Sequence, residues 1–175
     1  MNTLVVHASK YGSTQRYAEW IGEALGAPVK PDDEITPHEL AHQDAVVFCS
    51  AIYGPALRGS ADLRRAMELG TPTRWVLATV GLSDPELSTK RDELVAAKFA
   101  SPLRERLSVV HLRGAMDRSR LSVLERSMMA TIRRGLSAKV KRTPEDEAML
   151  AALRPPAIDL TDRAAIDAVV EACLG

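Results

Sequence analysis

Short unbroken apolar runs alternate along this chain with segments whose apolar residues return every three or four positions. Thr3-Leu4-Val5-Val6-His7-Ala8, Asp44-Ala45-Val46-Val47-Phe48-Cys49-Ser50, Trp75-Val76-Leu77-Ala78-Thr79-Val80 and Leu107-Ser108-Val109-Val110-His111-Leu112 have strand length. Runs of this kind predict strands buried on both faces. Between them, Tyr17, Ala18, Ile21, Ala24 and Leu25 keep helical spacing up to Gly26, and Gly is the common helix stop. Helices are also predicted at Arg58–Leu69, Lys90–Phe99 and Asp162–Leu174, the last capped by Thr161 or Asp162. Pro28-Val29-Lys30 reads as a weak second strand and Asp32-Asp33-Glu34 as loop. Leu121, Leu124, Met128, Ile132 and Leu136 form one apolar stripe on a helix of about four turns.

Buried strands separated by helices predict an α/β fold, a doubly wound parallel sheet with helices on both faces. Ligands of such sheets bind outside the carboxyl ends of the strands, where the strand order reverses. The first of these loops, Ser9-Lys10-Tyr11-Gly12-Ser13-Thr14, runs straight into a helix. A helix start offers unpaired N–H groups and a partial positive charge, which suits a phosphate. Ser9, Ser13 and Thr14 add hydroxyl donors, and Gly12 allows close backbone approach. The same residues also suit a plain strand–helix junction capped by Ser13 or Thr14. Lys10 precedes the only glycine of the loop, so neither a Walker A loop nor a dinucleotide fingerprint is present.

The second loop, residues 50–59, carries Ala51, Ile52, Tyr53 and Gly54; apolar groups on a rigid loop suit a flat ring, or else pack back on the first helix. The third runs from Thr79 through Val80, Gly81 and Ser83 to Pro85. Ser9-x-x-Gly12-x-Thr14, Ser50-Ala51-Ile52-Tyr53-Gly54 and the Thr79–Asp84 stretch resemble, in that order, the three flavin loops of flavodoxin-like proteins. With Gly114-Ala115-Met116 leading into a basic helix, the chain looks more narrowly like the menaquinone-dependent protoporphyrinogen dehydrogenases and their flavodoxin-domain relatives. That resemblance implies FMN as cofactor. Ser9, Lys10, Gly12, Ser13 and Thr14 would hold its phosphate, and Tyr11 would approach the ribityl chain or a ring edge. Ala51, Ile52, Tyr53 and Gly54 would border the ring, Tyr53 stacking on it, and Thr79, Val80, Gly81 and Ser83 would meet its polar edge. It implies an oxidoreductase passing electrons from a reduced organic or porphyrin-type substrate through FMN to a quinone. A flavodoxin-type electron carrier and a flavin-free interaction domain share the same fold.

Composition adjusts this picture. At 175 residues, 46% hydrophobic and 26% charged, the chain fits one globular domain, 1–175. It lacks a signal-like lead and a membrane-spanning run, and Cys49 and Cys173 form no framework, so a reducing cytoplasmic setting is expected. His7, His38, His42 and His111 show no metal-ligand spacing, and no metal is expected. His7 reads as a core histidine. Electron-shuttling flavodoxins are usually acidic and aromatic at both ring loops; this chain is neutral, 4% aromatic and has no aromatic residue in 79–88. Charge is instead concentrated: Arg113 to Arg142 holds nine basic and two acidic residues. We expect a basic helical insertion at about 115–142, suited to an anionic membrane surface, to substrate carboxylates, or simply to solvent. Nucleic acid is not expected, because no aromatic residues interleave with the charges.

Overall fold

The computed structural model describes residues 1–70 and 74–175. The elements follow in the order β1 (Thr3–Ala8), α1 (Ser13–Leu25), β2 (Val29–Pro31), α2 (Pro37–Ala41), β3 (Ala45–Tyr53), β4 (Ala56–Leu57), α3 (Ser60–Leu69), β5 (Arg74–Gly81), α4 (Thr89–Lys98), β6 (Leu107–Arg113), β7 (Ala115–Asp117), α5 (Val123–Ala138), α6 (Pro144–Ala152), β8 (Ala157–Asp159) and α7 (Asp167–Leu174). Five parallel strands lie in the order β2-β1-β3-β5-β6. The chain steps one way from β1 to β2 and the other way from β3 to β5. Their carboxyl ends therefore part between β1 and β3, as in flavodoxin-like sheets.

Successive side chains of a strand point to opposite faces, which divides the apolar runs into two cores. Leu4, Val6, Phe48, Leu77 and Trp75 join Leu63, Met67 and Phe99 on the α3/α4 side. Val5, Val47, Val76, Val80 and Leu112 meet Tyr17, Ile21 and Val169 under α1 and α7. Burying each such side chain contributes about 1.5–3 kcal/mol. Tyr17 also ties the two ends of this layer together: its hydroxyl donates to the Arg113 carbonyl (2.8 Å) and accepts from the Asp162 amide (2.9 Å).

The structure departs from the sequence reading at several elements. β3 runs on through Ile52 and Tyr53, which pair antiparallel with Leu57 and Ala56. The expected loop at 50–59 is thus largely a tight hairpin turning at Gly54-Pro55. α2 was not expected; Pro37 opens it, and Thr36 and Glu39 cap each other. The basic segment is not one helix. It begins with β7, which pairs antiparallel with β8, and a short helical turn at Arg118–Arg120. α5 and α6 then form a cap between the two strands. Its stripe is rotated relative to expectation: Leu121, Met129 and Ile132 pack inward, whereas Leu124 is 79% exposed. His7 is half-buried and its Nδ1 has no protein partner among the described residues; burial lowers its pKa, keeping the ring neutral.

Both cap helices start with a capping box, Ser122/Glu125 for α5 and Thr143/Asp146 for α6. In each, the acid does a second job. Asp146 is fully buried and accepts from Lys90 of α4 (2.9 Å) and from Lys139 (2.8 Å) as well as from the Thr143 amide (3.1 Å). Its carboxyl is held well below the usual range by Lys139 and then Lys90. Arg142 closes α5 by donating to the Leu136 and Ser137 carbonyls.

Two outcomes are expected. Gly59, at the start of α3, has φ +69°, and a Cβ there would lie 2.6 Å from Phe48 Cζ. Gly59→Ala should cost about 2–4 kcal/mol, from left-handed strain plus overpacking. Thermal denaturation should show a Tm lower by roughly 5–15 °C; an unchanged Tm would refute the close approach. Because the Asp146 pKa is depressed by folding, its contribution is complete above the ordinary carboxyl pKa and fades as pH falls through and below it. Hydrogen exchange of α6 amides, corrected for intrinsic rates, should show lost protection between about pH 4 and 2, and in Asp146→Asn already at pH 7. Equal protection in that variant would show that the lysine pairs do not dock the cap.

Candidate functional site

Where β1 and β3 diverge, a concave, mostly apolar cleft opens between the loops that leave them, the usual place for a ligand in such a sheet. One end is the start of α1. Its N-cap is Gly12, at φ +100°, where a side chain would be strained. No side chain caps the helix and its first turn holds no acid. The first-turn amides are therefore free of a side-chain acceptor, next to the hydroxyls of Ser13 and Thr14, both of which line the cleft. The Ser9 hydroxyl accepts from the Gly12 amide (3.3 Å) and so shapes the loop from within.

The rest of the cleft is apolar. Ala51, Ile52 and Tyr53 form one wall, and Val80, Gly81 and Leu82 the other. Burial pushes the Tyr53 hydroxyl up to about 12. Gly114 keeps the floor open: a Cβ there would come 3.0 Å from Val80 Cγ1 and 3.4 Å from Ser13 Oγ. Met116, Leu121, Met128 and Met129 roof the cleft from β7 and the cap. Unbranched methionines adapt to varied shapes.

Glu125 is the polar residue of this roof. Its carboxylate accepts from Lys10 Nζ (2.8 Å), the Tyr11 hydroxyl and the Ser122 amide (2.9 Å). Lys10 and then Tyr11 hold its pKa far below the usual carboxylate range, and the same bond raises that of Lys10. Arg120 Nη1 donates to the Tyr11 carbonyl (3.1 Å). The first loop is thus fastened to the cap at three points. Tyr11 and Tyr53 meet edge to face, with centroids 5.8 Å apart.

Most residues singled out by sequence converge: Tyr11, Ser13, Thr14, Ala51, Ile52, Tyr53, Val80 and Gly81 all line the cleft. Gly54 lies at its rim, where a Cβ would be 3.4 Å from Met128 Sδ. Lys10 points at Glu125 and not into the helix start. Thr79 and Ser83 are not in the cleft. Strand alternation turns Thr79 to the α4 face, where its hydroxyl bonds His111 Nδ1 (2.7 Å), and His111 Nε2 bonds Asp92 (3.0 Å). Ser83 Oγ accepts from Nε of the buried Arg91 (2.6 Å), which also donates to the Ser83 and Leu112 carbonyls. Burial lowers the Arg91 pKa to about 10, and the guanidinium holds the third loop from behind Gly81. Leu82, Met116, Leu121, Glu125, Met128 and Met129 escaped sequence reasoning. Ser122-x-x-Glu125 was a legible signal for Glu125, being the capping-box pattern.

No metal-ligating cluster of three or more groups occurs among the described residues, and no helix there is long and apolar enough to cross a membrane. No curated protein matches the sequence. Among solved structures, oxidised Flavodoxin 1 from Bacillus cereus is 16% identical, over 87% of this chain and 92% of its own, with a TM-score of 0.44. Two-electron reduced Megasphaera elsdenii flavodoxin is 14% identical, over 87% and 99%, with 0.41. The Trp repressor binding protein from Bacillus subtilis is 12% identical, over 87% and 96%, with 0.42. A family model described as a flavodoxin domain matches residues 4–143. By that match, together with the strand order above, the chain belongs to the flavodoxin-domain family.

Proposed function

We propose that the cleft binds FMN and that the chain is an FMN-dependent oxidoreductase for a bulky, largely apolar reduced substrate, of the quinone-linked protoporphyrinogen dehydrogenase type. One observation carries the cofactor reading: the uncapped start of α1, with Ser13 and Thr14, opens into the same cleft as the apolar walls at Ile52–Tyr53 and Val80–Leu82. A molecule that fits must pair a compact anion with a flat apolar body, and FMN does. The first-turn amides and two hydroxyls would hold the phosphate by charge-assisted bonds. The two walls would bracket the ring, and the backbone at Gly81 would face its polar edge. Bound there, FMN supplies exchange of one or two electrons, while the protein supplies position and electrostatics.

The cap favours an enzyme over a carrier. Leu121, Met128 and Met129 cover the cleft with an adaptable apolar roof, which excludes water and suits a bulky apolar substrate. A carrier hands electrons to proteins and gains nothing from such a roof. The charge of Glu125 is already neutralised by Lys10, so the roof adds little repulsion toward a phosphate.

Optical titration with FMN tests the cofactor reading. Wild type should bind one equivalent, and Ser13→Ala/Thr14→Ala should lose at least about 3 kcal/mol, roughly 100-fold in Kd. No binding by wild type, or undiminished binding by the double variant, would overturn it. The FMN-loaded protein should then oxidise protoporphyrinogen with a quinone as acceptor. Inertness to that pair, with ready reduction by a ferredoxin- or NADPH-linked reductase, would identify a carrier instead.

A further inference from the structure

A second cavity lies on the outer side of the cap. Its floor is Leu121, Met129, Ala130 and Leu153, and its rim is Arg118, Arg126 and Arg133. Arg118 is spoken for: it donates to the Leu153 and Arg154 carbonyls and so braces the rim. Arg126 and Arg133 are different. The acids of the cap are committed elsewhere, Glu125 to Lys10, Glu145 to Lys90, Asp146 to Lys90 and Lys139, and Glu147 to Arg142. Arg126 and Arg133 are left without an ion-pair partner among the described residues. They stand seven residues apart on one face of α5, roughly 10 Å along its axis.

We infer that this cavity is a binding site for an apolar molecule bearing one or two carboxylates. The floor gains by being covered, because Met129 and Ala130, which lie over the buried Leu121 and Leu153, are apolar and partly exposed. The rim supplies planar guanidinium forks, which pair with carboxylates in a bidentate manner. Their spacing allows one anionic group to be gripped between them, or two to be gripped separately. The site is complete without FMN and stands independently of the reading of the cleft, although Leu121 and Met129 are walls of both cavities.

The arrangement selects a small ligand over a bilayer. A helix that lies on a membrane needs its basic and apolar exposures to flank one common surface. On α5 the exposed Leu124 lies about 180° around the helix from Arg133 and the exposed Val123 about 80°, at the opposite end of the helix from Arg133, so the two do not form one apolar face between the arginines. The basic side chains frame a concavity instead of a convex apolar face.

Fluorescence titration with 1-pyrenebutyrate and its neutral analogue 1-pyrenebutanol tests the inference. Wild type should bind pyrenebutyrate saturably with one site, and FMN in excess should not displace it. Arg126→Gln/Arg133→Gln should weaken pyrenebutyrate at least about tenfold and change pyrenebutanol less than about twofold, because only the former loses a charged partner. Both side chains are exposed, so the variant should melt as wild type does. Ala130→Trp, which fills the floor, should abolish binding of the pyrenebutyrate probe. Equal affinity for the two probes, an unaffected double variant, or displacement by FMN would overturn the site. So would binding to phosphatidylglycerol vesicles in the absence of any pyrenebutyrate binding, which would assign the arginines to a membrane surface.

Discussion

The start of α1 must stay open, and most of the site's design follows from that constraint. Helices usually close their first turn with a Ser, Thr, Asp or Asn at the N-cap, and glycine there costs only a few tenths of a kcal/mol by comparison. Gly12 accepts that small cost. It also supplies the left-handed turn that aims the first amides at the space between β1 and β3. Strand order makes that space, because no connection crosses the carboxyl ends of two strands whose chains leave in opposite directions. Hydroxyls from Ser13 and Thr14 then sharpen a generic anion seat, and the neighbouring strands supply apolar walls.

α5 is held by polar contacts more than by burial. No residue of α5 is fully buried, although the helix is 16 residues long. Its attachment instead runs through two capping-box acids, Glu125 onto the first loop and Asp146 onto α4, with Arg120 as a third tie. Elements with few buried apolar contacts open locally at low cost. The bonds of Glu125 with Lys10 and Tyr11 tie α5 to the loop that forms the anion seat.

Sequence alone was sufficient for the four long strands, for α1, α3 and α4, and for the convergence of the first two loops. Unbroken apolar runs have no other stable home in a chain of this size. The failures are local and physical. α2 has five residues and α6 nine, too few for a 3.6-residue period to register, and both announce themselves only through capping boxes. β7 and β8 have three residues each and exist because they pair with one another. Thr79 was misplaced because a period of two, already fixed by Leu77 on the α3/α4 side, turns it away from the cleft. The roof residues come from a segment far along the chain, and nothing local in Met128 or Met129 says which wall they will meet.

The most direct test of the central claim compares FMN with riboflavin, which has the same ring and lacks the phosphate. If the open start of α1 seats that phosphate, riboflavin should bind at least about 100-fold more weakly, the loss expected from two or more charge-assisted bonds. Comparable dissociation constants for the two flavins would show that the anion seat is not used, and the account of the cleft would fail with it.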